Sequence, residues 1–306
     1  MHQPSVTIGF LPRERFNMAA QSLEAIYKYT HIPFNLILID CNTPSKYLSQ
    51  IKKVIENKPN VTIIHSDTYL QPNQSRNLVL ANTKDEYVAF IENDCFVSDG
   101  WLSKLIAACE EYPAMVAMPL LFDGASWRRK VHHDRNIVNI RSWKEGGKTY
   151  YEFIPNLGIS KRYKEKNRER VWSIETHFMF FRRKVFDVIG PFDECLNTRE
   201  PVDISLALYR ANIPIVFEPT ARVNFYNPPP VYKDELPFYN FVWDLKRGAT
   251  SNEYLAKKWN IVNMHASLDF MEDQHYRTGL LKWFFRKAPG ALSRIAKKGF
   301  QKITPF

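Results

Sequence analysis

What most limits the fold of this 306-residue chain is a regular alternation of short apolar runs with segments of helical spacing. Residues 5–11 read as a strand, and 17–29 carry Met18, Leu23, Ala25, Ile26 and Tyr29 near helical spacing. The apolar run 34–40 ends in an acid. Residues 46–56 then read as a helix, 61–64 as a strand, 73–81 as a helix, 87–91 as a strand, 101–111 as a helix and 115–119 as a strand. Such alternation predicts an α/β fold with a central, mostly parallel sheet and helices on both faces. The strands are near-continuous apolar runs, as strands buried on both sides must be.

The pattern breaks between 122 and 170, a stretch rich in Arg, Lys, His, Asn and Gly that includes Trp127-Arg128-Arg129-Lys130 and Glu145-Gly146-Gly147-Lys148. We read it as a long surface loop with a hairpin around 148–154, and long loops in compact domains commonly carry function. Core periodicity returns at 176–181, followed by helices at 183–189 and 202–211 and a strand at 214–217. Pro228-Pro229-Pro230 punctuates the end of the fold, and helical segments follow at 236–245 and 252–259. The expected organisation is an α/β unit over 1–226, a helical extension over 227–278 and a basic tail over 279–306.

The formal net charge of +10 calls for an anionic partner: a nucleotide, a membrane surface or a nucleic acid. Cys41, Cys95, Cys109 and Cys195 are scattered without CxxC or close Cys/His spacing, so zinc and a disulfide framework are not expected and reduced thiols are. The N-terminus runs into Val6-Thr7-Ile8-Gly9-Phe10 without a signal-type segment, and no apolar run approaches the roughly 20 residues that span a bilayer. A cytoplasmic chain, soluble or peripheral at the cytoplasmic face of a membrane, is expected. After Asp273 there is no acid, while Arg277, Lys282, Arg286 and Lys287 interleave with Leu280, Trp283, Phe284 and Phe285. A basic amphipathic helix of this sort reads either as an interfacial membrane element or as a terminal helix packed on the α/β unit.

Ligands of open α/β sheets bind at the carboxyl ends of the strands, and two strands here end in acids, at Asp40 and at Glu92-Asn93-Asp94. Two carboxylates at a strand end suit Mg²⁺ or Mn²⁺ bridging a diphosphate. They also suit a solvated loop before the helix that Asp99-Gly100 opens, which spacing alone favours.

The ordered set Val6-Thr7-Ile8, Leu38-Ile39-Asp40, Gln74-Ser75-Arg76-Asn77, Phe90-Ile91-Glu92-Asn93-Asp94 and Gly100-Trp101-Leu102 resembles glycosyltransferase family 2, whose catalytic domain has the GT-A fold. Gly190-Pro191-Phe192-Asp193-Glu194 and Arg199-Glu200-Pro201-Val202-Asp203 resemble its second half, so the likeness runs from about 5 to 225. The resemblance implies an inverting transfer from a nucleoside-diphosphate sugar to a hydroxyl of a glycan or lipid-linked acceptor. Asp40 would contact the base or ribose, Arg76 and Asn77 would lie close to the nucleotide, and Glu92-Asn93-Asp94 would take the place of the family's DxD. In that turn Glu92 and Asp94 would face a divalent cation and Asn93 the nucleotide. The family's base sits in a Glu-Asp pair, but Pro201 occupies the aspartate position, which leaves Glu200 first and Asp203 second. Trp172, Glu175 and His177 would face the acceptor and donor sugar. The family's late histidine to the metal has no counterpart in Arg222-Val223-Asn224-Phe225-Tyr226.

Two other classes compete with this reading. A sugar- or nucleotide-binding protein on the same fold, without catalysis, would explain Pro201. A nucleic-acid-binding protein would explain the charge and Trp127-Arg128-Arg129-Lys130, but no nucleic-acid-binding signature accompanies them, and no such partner is expected.

Overall fold

The computed structural model describes residues 3–124, 130–133, 138–155, 167–226, 232–263 and 271. A ten-stranded mixed sheet forms its centre. Strands β1 (Val6–Leu11), β2 (Asn35–Cys41), β3 (Val61–Ser66) and β4 (Tyr87–Glu92) lie parallel, with β1 between β2 and β4 and with β3 at the edge. β1 and β4 are buried along their whole length, and β2 from Leu36 onward. Helices α1 (Phe16–Tyr29), α2 (Ser45–Ile55) and α3 (Pro72–Ala81) connect them. In α1, Phe16, Ala19, Leu23 and Ile26 recur at helical spacing and form the buried stripe.

Beyond β4 come β5 (Cys95–Val97), α4 (Trp101–Glu111), β6 (Val116–Asp123) and β7 (Val131–His133). They are followed by β8 (Val138–Glu145), β9 (Lys148–Pro155), β10 (Glu169–Val171) and β11 (Phe178–Arg182). The chain closes its sheet with helices α5 (Val185–Ile189) and α6 (Glu200–Arg210) and strand β12 (Ile215–Phe225). β11 runs antiparallel between β4 and β6, which reverses the sheet beside the turn that follows β4. β12 returns parallel to β6, and its far end pairs with β5. One core cluster joins α1, α2 and α4 to one face of the sheet, and a second joins α3, α5 and α6 to the other.

A single glycine sets how closely α3 approaches. A Cβ on Gly9 would lie 2.8 Å from both Cγ atoms of Val79, a fully buried residue of α3. Gly9 therefore lets α3 lie down on β1, and α3 carries Arg76 toward the sheet end.

The described residues of the 122–170 stretch hold more strand than a surface loop would. β6 continues through Phe122 and pairs with β7, while β8 and β9 form a hairpin in full register. Its turn is Gly146-Gly147, at φ 54° and 75°, where left-handed backbone favours glycine. Polar residues alternate along β8, which hides the strand from an apolar-run criterion. Residues 127–129 of the basic cluster, the three prolines and the tail over 279–306 lie outside the described residues.

Helices α7 (Leu236–Val242) and α8 (Leu245–Trp259) pack back on the sheet domain. Phe238 and Tyr239 meet Phe16, Cys41 and Tyr47 in one cluster, and Leu255 and Trp259 meet Tyr151, Leu196 and Leu206 in another. Among the described residues no helix is long and apolar enough to cross a membrane. All four cysteines are free thiols, three of them buried.

Candidate active site

The loops after β1, β2 and β4 open at one edge of the sheet, and charge gathers there. β1 runs directly into Pro12-Arg13-Glu14-Arg15 before α1. Arg15, Arg76, Glu14, Glu92, Asp94 and Glu200 are buried, and Arg13 is nearly so. Removing charges from water costs several kcal/mol per ion, so each needs a counter-charge.

Arg76 is the hub. Its Nη1 donates to Asn73 Oδ1 at 2.8 Å and to Glu200 Oε1 at 3.4 Å. Its Nη2 donates to Glu92 Oε1 and to the Thr176 carbonyl, both at 3.2 Å. One guanidinium thus joins α3, the end of β4, the approach to β11 and the start of α6. The other oxygen of Glu92 faces Arg13, whose Nε is 3.3 Å from Oε2. Burial opposes the charge of Arg13, but Glu92, Glu14 and Glu200 outweigh it and raise its pKa. Glu14 accepts from Trp243 Nε1 at 3.0 Å. Burial works against its carboxylate, but Arg13 and Arg15 hold its pKa below the ordinary value.

Asp94 differs from Glu14, Glu92 and Glu200 in that no Arg or Lys among the described residues pairs with it within 4 Å. It is buried, its Oδ1 has no hydrogen-bond partner, and its backbone carbonyl accepts from Tyr226 N at 3.0 Å. Burial first, then the charges of Glu92 and Glu14, push its carboxyl up to about 7. A buried acid with a bare oxygen, among other carboxylates, is the donor a hard divalent cation would ionise and bind alongside phosphate oxygens. The residues present therefore fit Mn²⁺ or Mg²⁺ at Asp94. The Asn93 Nδ2 donates to the Arg13 carbonyl at 3.1 Å, which ties the two loops together and leaves its Oδ1 without a partner.

Other residues singled out in the sequence have different surroundings. Asp40, at the end of β2, accepts from Thr43 N at 3.0 Å and lies 2.8 Å from His65 Nδ1. The bond to Asp40, and then that to Asp67, raises the pKa of His65. The amide of Asn77 bridges Phe192 and Glu194, at 2.9 and 2.7 Å, and so fastens α3 to the 192–194 loop. Asp203 accepts from Trp259 Nε1 at 2.6 Å and pairs with Lys258 Nζ at 2.7 Å, which faces it toward α8. Glu200 opens α6 after Arg199 in left-handed backbone (φ 68°), and both acids lie in the first helical turn, where the helix dipole favours them. Trp172 packs edge-on to Tyr209, with centroids 5.5 Å apart.

Glu175 and His177 stand together. Glu175 Oε1 accepts from the backbone of Thr176 and His177 and contacts His177 Nδ1 closely. Burial opposes the charge of His177, but Glu175 and Glu92 prevail and lift its pKa to about 9. His132 of β7 joins them, its Nε2 3.9 Å from Glu175 Oε2.

Sequence reasoning missed Arg13, Glu14, Trp243 and His132. Three consecutive charges directly after an apolar strand were a usable signal for the first two. Trp243 and His132 arrive through long-range packing that no local pattern announces.

A parallel β3-β2-β1-β4 order, a reversed strand beyond β4 and an acidic turn at the β4 end together define an α/β domain of GT-A architecture. Residues 13–190 match the Glycosyl transferase family 2 profile, and the chain belongs to that family. No curated protein sequence matches it. Among solved structures, GalNAc-T7 with UDP, GalNAc and Mn²⁺ aligns at TM-score 0.55 and 16% identity, over 93% of this chain and 57% of that one. S. aureus TarS aligns at 0.52 and 14%, over 95% and 50%. S. aureus TarS 1-349 in complex with UDP-GlcNAc aligns at 0.53 and 14%, over 95% and 83%. The chain spans little more than half of the GalNAc-T7 chain and half of the longer TarS chain. At such identities the likeness concerns the fold.

Proposed function

We propose that the chain is an inverting glycosyltransferase that moves a sugar from a nucleoside-diphosphate sugar to an acceptor hydroxyl with the help of a divalent cation. The observation that carries this reading is Asp94, a buried carboxyl with a bare oxygen at the β4 end of a family 2 domain. The structures of similar fold that hold UDP with Mn²⁺, or UDP-GlcNAc, support a nucleotide-sugar donor and point first to uridine.

Asp94 would hold Mn²⁺ or Mg²⁺, and when bound the cation would offset charge on the diphosphate leaving group. Asp40, fixed by Thr43 and His65, would meet the base or ribose through the edge of the β2 loop. Arg76 and Arg13 hold Glu92 in place, which would keep the turn in shape to receive the diphosphate. Glu200 would act as base: the acceptor oxygen bonds to the anomeric carbon, the bond to the diphosphate oxygen breaks, and the hydroxyl proton passes to the Glu200 carboxylate. Arg76 fixes one oxygen of that carboxylate and so its direction. Trp172, Glu175 and His177, with the β8–β9 hairpin, would face the acceptor. A glycan or lipid-linked acceptor, a membrane contact through the basic tail and a cytoplasmic location belong to the same proposal.

A binding protein without catalysis remains the competing reading, favoured by the ion pair that already engages Glu200. Release of nucleoside diphosphate from UDP-sugars separates the two. Metal-dependent release that disappears in Glu200→Gln, with nucleotide binding intact, supports transfer; binding without release supports the competitor.

A further inference from the structure

Beside the arginine–carboxylate cluster, side chains from two separate segments converge. His132 comes from β7, and Glu175 and His177 come from the residues leading into β11. One ligand atom from each lies within 4.8 Å of the other two. Backbone N–H groups of Thr176 and His177 hold Glu175 Oε1 at 2.9 and 3.2 Å, while Oε2 lies 3.9 Å from His132 Nε2. The two imidazoles meet edge to face at 5.2 Å. Both rest on Phe225 of β12, at 4.9 Å for His132 and 3.8 Å for His177. Their side chains are 29%, 12% and 17% exposed for His132, Glu175 and His177, so the group is covered below and reachable from above.

We propose that His132, Glu175 and His177 form a cation site of their own, separate from Asp94, that takes a borderline divalent transition metal such as Zn²⁺. Two imidazole nitrogens and one carboxylate suit zinc and its neighbours, whereas Mg²⁺ and Ca²⁺ prefer oxygen alone. Metal–ligand bonds of about 2.0–2.2 Å in tetrahedral geometry set two donors of one ion roughly 3.3–3.6 Å apart. A contraction of up to about 1.2–1.5 Å therefore closes the set, a movement within the reach of rotamer changes in partly exposed side chains. Phe225 supplies the apolar floor that keeps water from one side, and backbone bonds to Glu175 supply the outer contacts that orient a ligand. Three protein donors leave a position for water or a substrate oxygen. His177 Nε2 lies 3.9 Å from Glu92 Oε2, so a cation here would abut the crevice and fix β7 against it. The site stands on these residues and does not depend on the transferase reading.

The test uses full-length protein without a histidine tag, stripped of metal, titrated with Co²⁺ by visible absorption and then with Zn²⁺ as competitor. One equivalent of Co²⁺ is expected to give ligand-field bands that Zn²⁺ displaces. His132→Ala should weaken Zn²⁺ binding by about 10-fold or more, and Asp94→Asn should keep the spectrum. Circular dichroism compares the folding of His132→Ala with wild type, and if that variant unfolds, Glu175→Gln carries the same test. Unchanged Zn²⁺ affinity in the variant that folds overturns the proposal. So does a spectrum lost in Asp94→Asn but kept in His132→Ala, which would put the cation at the β4 turn. Failure of nucleotide binding leaves the proposal standing, because no nucleotide enters this assay.

Discussion

Arg76 Nη2 lies 3.2 Å from Glu92 Oε1, and both side chains are buried. The same guanidinium reaches Glu200 at 3.4 Å, so a single cation joins the turn that would face the donor to the acid that would serve as base. Breaking a buried pair by removing one partner leaves an uncompensated charge.

Arg76→Ala is therefore expected to lower unfolding free energy by about 3–5 kcal/mol, measured by urea denaturation. Arg76→Lys should recover only part of this, because a point charge cannot serve Asn73, Glu200, Glu92 and the Thr176 carbonyl from one plane. Wild-type stability in Arg76→Ala would contradict the hub.

Glu200 and Asp203 should separate cleanly. Glu200→Gln is expected to lower the rate of transfer by about 10²–10⁴-fold with little change in nucleotide affinity. Asp203→Asn loses the pair with Lys258 and weakens the bond from Trp259, so its cost should fall on stability, about 1.5–3 kcal/mol. Equal losses of rate in the two variants would contradict this division.

Asp94 should make stability depend on pH. Its carboxyl is pushed from an ordinary 3.8 up to about 7, so the folded chain keeps a proton that the unfolded chain releases. The stability this contributes is complete below pH about 4 and is lost as pH rises through about 7. Asp94→Asn cannot ionise, so it should gain on wild type across that window, read by urea unfolding at a series of pH values. A gap that narrows with rising pH would contradict the burial of Asp94.

Gly9→Ala places a methyl 2.8 Å from both Cγ atoms of Val79 and should cost about 1–3 kcal/mol. Adding Val79→Ala should recover part of that loss, and a double-mutant cycle by thermal unfolding measures the coupling. Strict additivity would show that the two side chains do not compete for space.

Much of the sheet was legible because β1, β2 from Leu36 onward and β4 are buried on both faces and so are mostly apolar, with acids only near the ends of β2 and β4. β12 read as a strand only over its first residues, since beyond Glu218 it alternates exposed and buried positions, with Arg222 facing outward and Val223 inward. β5 is too short to show a period, and the polar alternation of β8 resembles a loop in sequence because its order comes from pairing with β9. Pro201 suits a first helical turn, and α6 begins at Glu200, two residues before the expected start at 202. In the site, the strand-end rule led to Asp40 and to Glu92-Asn93-Asp94. It could not show that Arg76 and Arg13 already hold Glu92, nor that α8 holds Asp203. Those partners lie far away in sequence and meet only when helices pack.

The most direct test of the account is calorimetric titration of UDP and of GDP, each with and without Mn²⁺, into wild type and Asp94→Asn. The account predicts that one nucleotide, UDP first, binds wild type tightly with Mn²⁺, weakly without it, and that the Mn²⁺ dependence vanishes in Asp94→Asn. Absence of binding by either nucleotide under every condition, or Mn²⁺-dependent binding unaltered in Asp94→Asn, would contradict it.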